Sequence, residues 1–230
     1  MTDSCQVLAS GVEEHNMILV FLGAPGSGKG TQAKVIVEKL KIIHLSTGDM
    51  LREAVAAKTA IGVEASSYMS KGELVPDSVV IKLIEDRIQK QDCKNGFILD
   101  GFPRNTVQAE SLDEMFSMYT QKIDHTVAIE VDENALVERL TGRRTCKNCG
   151  AGFHIKFQPS KSSNHCDKCN GDLVQRNDDV ESVIKDRLNV YRTKTAPLIE
   201  YYKKQNLLRA VSGSGKPAEI TERILTVISK

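Results

Sequence analysis

Met17-Ile-Leu-Val-Phe-Leu-Gly23-Ala-Pro-Gly-Ser-Gly28-Lys29-Gly30-Thr31 is the stretch on which the reading of this chain turns. Residues 17–22 are an uninterrupted apolar run stopped by Gly23, the pattern of a strand buried on both faces in a parallel sheet. Lys29–Leu40 follows with Ala33, Val35, Ile36, Val37 and Leu40 spaced among polar residues, which predicts a helix. Between them, the spacing Gly23-x4-Gly28-Lys29 is that of a phosphate-binding P-loop. Its glycines let backbone N–H groups close on phosphate oxygens, the helix adds free N–H groups and the positive end of its dipole, and Lys29 adds a point charge. The alternative is a plain Gly-rich turn; the strand before, the helix after and the lysine in place argue against it. Gly26, Ser27, Gly28, Lys29, Gly30 and Thr31 are therefore candidate nucleotide contacts. The Ser or Thr that usually follows the lysine is absent, because Gly30 stands there and Thr31 comes one place later. Mg²⁺ is then expected to be held mainly through water and substrate oxygens. Asp100, at the end of a second buried run Gly96–Asp100, is the candidate carboxylate behind those waters, although a strand-ending Asp is also a common turn former.

Outward from this stretch, strands are predicted at Ile42–Leu45, Val127–Val131 and Leu207–Val211 besides the two already given. Helices are predicted over Thr47–Lys58, Gly62–Met69, from Pro76 onward, Thr106–Tyr119, Asn134–Leu140 and Ala218–Ile228. A long helical pattern also starts at Asp178, with Pro197 inside it as a kink or break. This alternation defines an α/β fold with a five-stranded parallel sheet flanked by helices. Between Thr141 and Gln175 the character changes to Gly, Ser, Pro, Asn and Cys, which marks an insertion.

With 31 Lys and Arg against 30 Asp and Glu, the 230-residue chain carries a net charge of +1, so no global field exists to hold a long nucleic acid. The apolar runs are far too short to cross a bilayer. Residues 1–16 lack a signal-peptide core and a basic amphipathic pattern, and are expected to be a short, loosely ordered tail of a cytoplasmic protein. Of six cysteines, Cys5 and Cys93 stand alone while Cys146-x2-Cys149-x16-Cys166-x2-Cys169 cluster. Two CxxC pairs at this spacing predict one tetrahedral Zn²⁺ site with four thiolates and no open position, hence a structural one. A redox dithiol would need only one pair; His154 and His165 are near enough to be spare ligands.

Four segments in order, GAPGSGKGT (Gly23–Thr31), LSTGDMLR (Leu45–Arg52), DGFPRNTVQ (Asp100–Gln108) and ERLTGRR (Glu138–Arg144), give the chain its resemblance to the adenylate kinases, from about Met17 to the C-terminus. The four-Cys insertion looks like the zinc-bearing long lid of that family. The resemblance implies a P-loop kinase with a tail at 1–16 and core segments at 17–46, 77–140 and 178–230. It implies a helical monophosphate-binding insertion at 47–76 and a zinc-ribbon lid at 141–177. It also implies the reaction MgATP + AMP ⇌ 2 ADP, with ATP, AMP and ADP as partners, Mg²⁺ and structural Zn²⁺ as cofactors, no nucleic acid, no membrane and a monomeric state.

On the acceptor side, the resemblance assigns Thr47 and Arg52 to the AMP phosphate, though from the sequence alone they read equally as an N-cap and a surface arginine. It assigns Glu73, Leu74, Val75 and Gln108 to the adenine. Gly101, Phe102, Pro103 and Arg104 complete this set, with a cis Phe102–Pro103 bond aiming Arg104 into the cleft. A Gln amide offers both a donor and an acceptor to the base. On the donor side it implies Arg139 against the adenine, Arg143 at the phosphates, and Gly152 and Phe153 beside the base. Gly213-Ser214-Gly215-Lys216 imitates a P-loop but lacks its first glycine; it reads as a strand-to-helix turn, with Lys216 a candidate ATP contact. Arg176 and Arg187 would stand at the transferring phosphoryl group, with Asp178 orienting them. Lys29, Arg104, Arg143, Arg176 and Arg187 are thus the expected catalytic set. Residues 139–176 hold eight basic side chains against Asp167 and Asp172, a local charge of +6. A solvated loop and a nucleic-acid surface are the other readings of that charge, and Phe153 and Phe157 are too few for a base-stacking platform. The rival functions are a GTP-using AMP kinase or another nucleoside monophosphate kinase and, from a different class, a P-loop zinc-ribbon regulator binding nucleic acid.

Overall fold

The computed structural model describes residues 16–229; the expected tail, apart from Asn16, and Cys5 lie outside the described residues. Five parallel strands form the central sheet: β1 (Met17–Leu22), β2 (Ile43–Ser46), β3 (Gly96–Asp100), β4 (His125–Glu130) and β8 (Leu208–Ser212), in the order β2-β3-β1-β4-β8. The apolar run 17–22 has no polar alternation because both of its faces are covered. Ile18, Val20 and Leu22 point into a cluster with Val80, Ile84, Leu112, Phe116, Leu198 and Tyr202. Leu19 and Phe21 point the other way, toward Ala33, Ile36, Ile220, Ile224 and Ile228. The first cluster is built by α4 (Asp77–Ile88), α5 (Thr106–Met118) and α8 (Pro197–Lys204), the second by α1 (Lys29–Leu40) and α9 (Pro217–Ile228). Each such buried side chain contributes roughly 1.5–3 kcal/mol. The register sets Asp100 beside Phe21 on β1 and Ser46 on β2, at the carboxyl edge of the sheet where open α/β sheets bind ligands.

Two excursions leave this core. The first, α2 (Thr47–Ala56) and α3 (Ala60–Lys71), is a helical hairpin between β2 and α4. Ser46 caps α2 by accepting from the Asp49 N–H, and Thr59 caps α3 by accepting from the Gly62 N–H. The second leaves after α6 (Glu133–Thr141) and returns before α7 (Glu181–Val190). It contains a three-stranded antiparallel sheet of β5 (Arg143–Cys146), β6 (Gly152–His154) and β7 (Leu173–Val174), ordered β6-β5-β7, in the segment expected to be a zinc-ribbon insertion.

Pro197 kinks the long helical run rather than ending it. Residues Tyr191–Thr195 form a wide π turn, with the Ala196 N–H reaching Tyr191 O at 2.8 Å, and α8 continues from Pro197. Among the described residues no helix is long and apolar enough to cross a membrane.

The α2–α3 hairpin depends on Gly62, which sits inside the first turn of α3 with no room for a side chain: a Cβ there would overlap the Ala54 carbonyl. Gly62→Ala is therefore expected to destabilise the protein by about 1–3 kcal/mol despite alanine's better helix propensity. Urea unfolding of the variant beside the parent checks this; equal midpoints would show that the hairpin tolerates the methyl group.

Candidate active site

The P-loop residues leave β1 and arrive at α1 through Gly28, whose φ of +97° is a left-handed conformation open to glycine at little cost. Gly28 caps α1 without a side-chain partner, so the first N–H groups of the helix stay available to an anion. Lys29 Nζ donates to Gly23 O at 2.6 Å and Ala24 O at 3.0 Å, which holds it across the mouth of the loop. Gly30 has a spatial reason as well: a Cβ there would stand 3.2 Å from Asp100 Oδ2, a tight approach to that carboxylate. Burial alone would push the Asp100 carboxyl up. Its hydrogen bond with His44 Nε2 at 3.2 Å and the Lys29 charge outweigh that and hold it below the usual range.

A cleft of about 1230 Å³ runs along the carboxyl edge of the sheet. It is lined by the P-loop residues 26–31, Thr47, Arg52, 73–75, Asp100, Gly101, Pro103, Arg104, Gln108, Arg139, Arg143, Gly152, Phe153, Arg176, Arg187 and Lys216. Nearly every expected contact thus faces one space. Phe102 is the exception: its side chain is fully buried in the main core and does not line the cleft, so only its backbone flanks the site. The Phe102–Pro103 bond is cis. Arg104 is held at three points: Nε donates to Gly101 O at 2.8 Å, its N–H to Gln108 Oε1 at 2.7 Å, and its carbonyl accepts from Thr195 Oγ1 at 2.7 Å. Thr47 Oγ1 donates to Asp100 O at 3.1 Å, which ties α2 to the end of β3.

Carboxylates that the sequence does not mark organise the arginines. Asp179, with no solvent exposure, accepts both Arg143 Nε (2.7 Å) and Arg143 Nη2 (2.6 Å), and also Arg187 Nη1 (2.9 Å). Asp178, the expected orienting carboxylate, takes Arg187 at 3.1 Å. Its acid form would be favoured by burial, but Arg187 and Arg143 outweigh this and hold it ionised. Asp49 takes Arg52 at 2.6 Å and approaches Arg176 at 3.7 Å. Burial works against its charge, yet Arg52 brings its carboxyl down to about 2. The repeated Asp in RNDD and the i,i+3 spacing of Asp49 and Arg52 are the signals that could have found the first and last of these.

Positive charge is nevertheless in excess. Burial first, then the Arg187 charge, brings Arg104 down to about 10. Burial and Arg143 do the same to Arg176. Burial lowers Lys29 to about 8; Asp100 opposes this and Arg104, Arg187 and Arg143 add to it. Such a site stabilises a ligand with several negative charges and several acceptor oxygens.

At the tip of the second excursion, Cys146, Cys149, Cys166 and Cys169 place their sulfurs within 4.8 Å of one another, with the pairs 146–169 and 149–166 at 3.5 Å. Four thiolates around Zn²⁺ at about 2.3 Å stand about 3.8 Å apart, so the donor set fits such an ion. The N–H of Lys168 donates to Cys166 Sγ, and the backbone at Cys149 and Asn148 brings the Cys146 thiol down to about 7. Lys34 Nζ on α1 donates to Gly150 O, so this tip rests against the core.

A P-loop at the edge of a parallel sheet, facing arginines delivered by two insertions, defines a nucleotide phosphotransferase. A model of the family described as "Adenylate kinase" matches residues 21–207. The chain is 54% identical to an adenylate kinase of Thermodesulfovibrio yellowstonii over 93% of its own length and 100% of the relative. It is 51% identical to those of Geotalea daltonii, over 92% of this chain and 99% of the relative, and Archaeoglobus fulgidus, over 93% and 99%. The chain belongs to the adenylate kinase family.

The Lys29 environment has a consequence in solution. A polyphosphate favours the charged amine, so binding should take up a proton between the free value of about 8 and the ordinary 10.5, and affinity should fall as pH rises through about 8. Calorimetry of ATP binding near pH ~8.5, in buffers of different ionisation heat, is expected to show uptake of a fraction of one proton that vanishes in Lys29→Met. Heats independent of buffer would remove the lysine from this role.

Proposed function

We propose that this chain transfers a phosphoryl group directly between MgATP and AMP, giving two ADP, inside the cleft just described. The observation that carries the reading is the convergence of Lys29, Arg104, Arg143, Arg176 and Arg187 on one space, with fewer carboxylates than cations around it. The ATP phosphates would lie on residues 26–31 with the base between Arg139, Gly152, Phe153 and Lys216. The AMP phosphate would meet Thr47, Arg52 and Arg104, and its base residues 73–75 and Gln108. The acceptor is already an anion, so no side chain is needed as base or nucleophile. The work left is alignment and stabilisation of charge on the transferring group. A guanidinium fork at Arg104, fixed at three points, suits two oxygens of that group better than an ammonium does.

Asp100, at the carboxyl end of β3 beside Lys29, would hold the water ligands of a Mg²⁺ ion bound with ATP, which would supply charge to offset the phosphates. Zn²⁺ on the four cysteines would supply the stability that the second excursion lacks, since Cys146 and Cys166 are its only buried apolar residues between 143 and 174. We assign residues 47–76 to acceptor binding and 141–177 to a lid that excludes water from the reaction. Part of this segment's charge is engaged toward the cleft, where Arg143 pairs with Asp179 and Arg176 Nε donates to Thr145 Oγ1, while Lys147, Lys156, Lys161 and Lys168 remain exposed. Both walls of the cleft come from one chain, which supports a monomer, and clustered thiols suit the reducing cytoplasm.

The direct test is disproportionation. With ADP and Mg²⁺ alone, the purified protein is expected to form ATP and AMP in equal amounts, and Arg104→Lys to lower that turnover by about 10²-fold with ATP binding little changed. A regulator that only binds nucleotides would form no ATP, and near-normal turnover in the variant would take Arg104 out of the reaction.

Metal content tests the lid. Protein purified without chelator is expected to carry about one zinc per chain. Stripping it should unfold β5–β7 and cut activity while the five-stranded sheet keeps its thermal transition, and added Zn²⁺ should restore activity. Absence of any thiophilic metal, or an identical rate after stripping, would contradict a structural zinc.

A further inference from the structure

Gln108 is almost fully buried, and its side-chain amide has a single orientation open to it. Oε1 accepts from the Arg104 N–H at 2.7 Å, and Nε2 donates to Asp77 Oδ1 at 2.7 Å. A backbone N–H can only donate and a carboxylate can only accept. Turning the amide over would therefore set donor against donor and acceptor against acceptor. Asp77 is itself fixed. It opens α4, and its Oδ1 also accepts from Asn105 Nδ2 at 2.9 Å, while Asn105 caps α5 by accepting the Gln108 N–H at 2.9 Å. Gln108 lines the cleft and Asp77 does not, so the carboxylate stands behind the amide. One N–H on Nε2 and one lone pair on Oε1 remain for a ligand.

We propose that Asp77 is a positioning residue that decides which purine the acceptor site takes: by locking the Gln108 amide, it admits 6-amino purine monophosphates and turns away 6-oxo ones. This rests on the reading of Gln108 as a contact to the acceptor base. Along its pairing edge, adenine presents a donor, the 6-amino group, and then an acceptor, N1. Hypoxanthine and guanine present an acceptor, the 6-carbonyl, and then a donor, N1–H. An amide complements either order, depending on which way round it stands, so a glutamine free to turn would serve both. Locked, it serves one, and the other leaves buried polar groups mispaired. The Arg104 N–H is backbone and is present whatever the side chains, so Asp77 is the part of the lock that substitution can remove.

The experiment compares AMP and inosine monophosphate as acceptors of phosphate from ATP. The readout is the ratio of their kcat/KM values within each protein preparation, so that any unfolded fraction cancels. Asp77→Ala is expected to narrow the preference for AMP by at least about fivefold, the value of one mispaired buried hydrogen bond. Asp77→Asn keeps the shape and the partner of Asn105 but can donate as well as accept, so it should narrow the ratio in the same direction; a role in packing alone would leave it at the parental value. In a Gln108→Ala background, Asp77→Ala should add no further change. If both Asp77 variants stay within about twofold of the parent while Gln108→Ala shifts the ratio, the lock is overturned and Gln108 still reads the base. If Gln108→Ala leaves the ratio unmoved, the reading of Gln108 is overturned and the lock with it.

Discussion

Two arginines from different parts of the chain share one carboxylate that has no contact with solvent. Arg143 comes from the first strand of the second excursion and Arg187 from α7, and Asp179 binds both within 2.9 Å. A buried carboxylate is costly unless its lone pairs are filled, and here three N–H groups fill them. The guanidinium of Arg143 is thereby held by two hydrogen bonds without a ligand, and that of Arg187 is held jointly by Asp179 and Asp178. Removing the carboxylate would leave two partly buried cations repelling each other beside Arg104 and Arg176.

The same logic extends around the cleft. Asp49 steadies Arg52 and Arg176, Asp178 steadies Arg187, and Asp100 faces Lys29. These carboxylates pair with basic side chains along the cleft, and they do not neutralise the site. The remaining excess of positive charge raises the free energy of the empty cleft, and an incoming polyphosphate relieves it. In a water-poor space such fixed charges act more strongly than they would in bulk solvent and need no reorganisation when charge shifts between the nucleotides.

The core was legible in the sequence where one local rule dominates. A run buried on both faces reads as a strand whatever surrounds it, so β1 and β3 stand where the apolar runs place them, and α1 begins at Lys29 as the loop spacing requires. The four clustered cysteines and the phosphate loop were legible because chemistry fixes their spacing, while most other cleft-facing residues were marked only by the family resemblance. The strand bounds of the small sheet were not legible: Arg143–Cys146, Gly152–His154 and Leu173–Val174 are too short to show a period of their own. Asp77 escaped because its partners, Gln108 and Asn105, lie far along the chain, whereas Asp49 and Asp179 carried only the weak local signals of an i,i+3 pair and a repeated Asp. Phe102 was drawn toward the site by its neighbours in DGFPR, whereas its ring belongs to the core.

The π turn escaped because the buried positions around it, Ile184, Leu188, Thr195, Leu198 and Tyr202, keep the spacing of one uninterrupted helix face. An extra residue in one turn rotates everything after it by roughly 100°. The face that would be continuous is therefore divided between two packing units. Ile184 and Leu188 close a small cluster with Leu136 and Leu140 at the root of the second excursion, while Leu198 and Tyr202 enter the main core. The second excursion thus rests on four buried side chains, against which Ala24 of the phosphate loop and Val131 just past the end of β4 also pack. A shift of the second excursion against the core would therefore be felt at the phosphate loop directly, through Ala24 on that shared cluster.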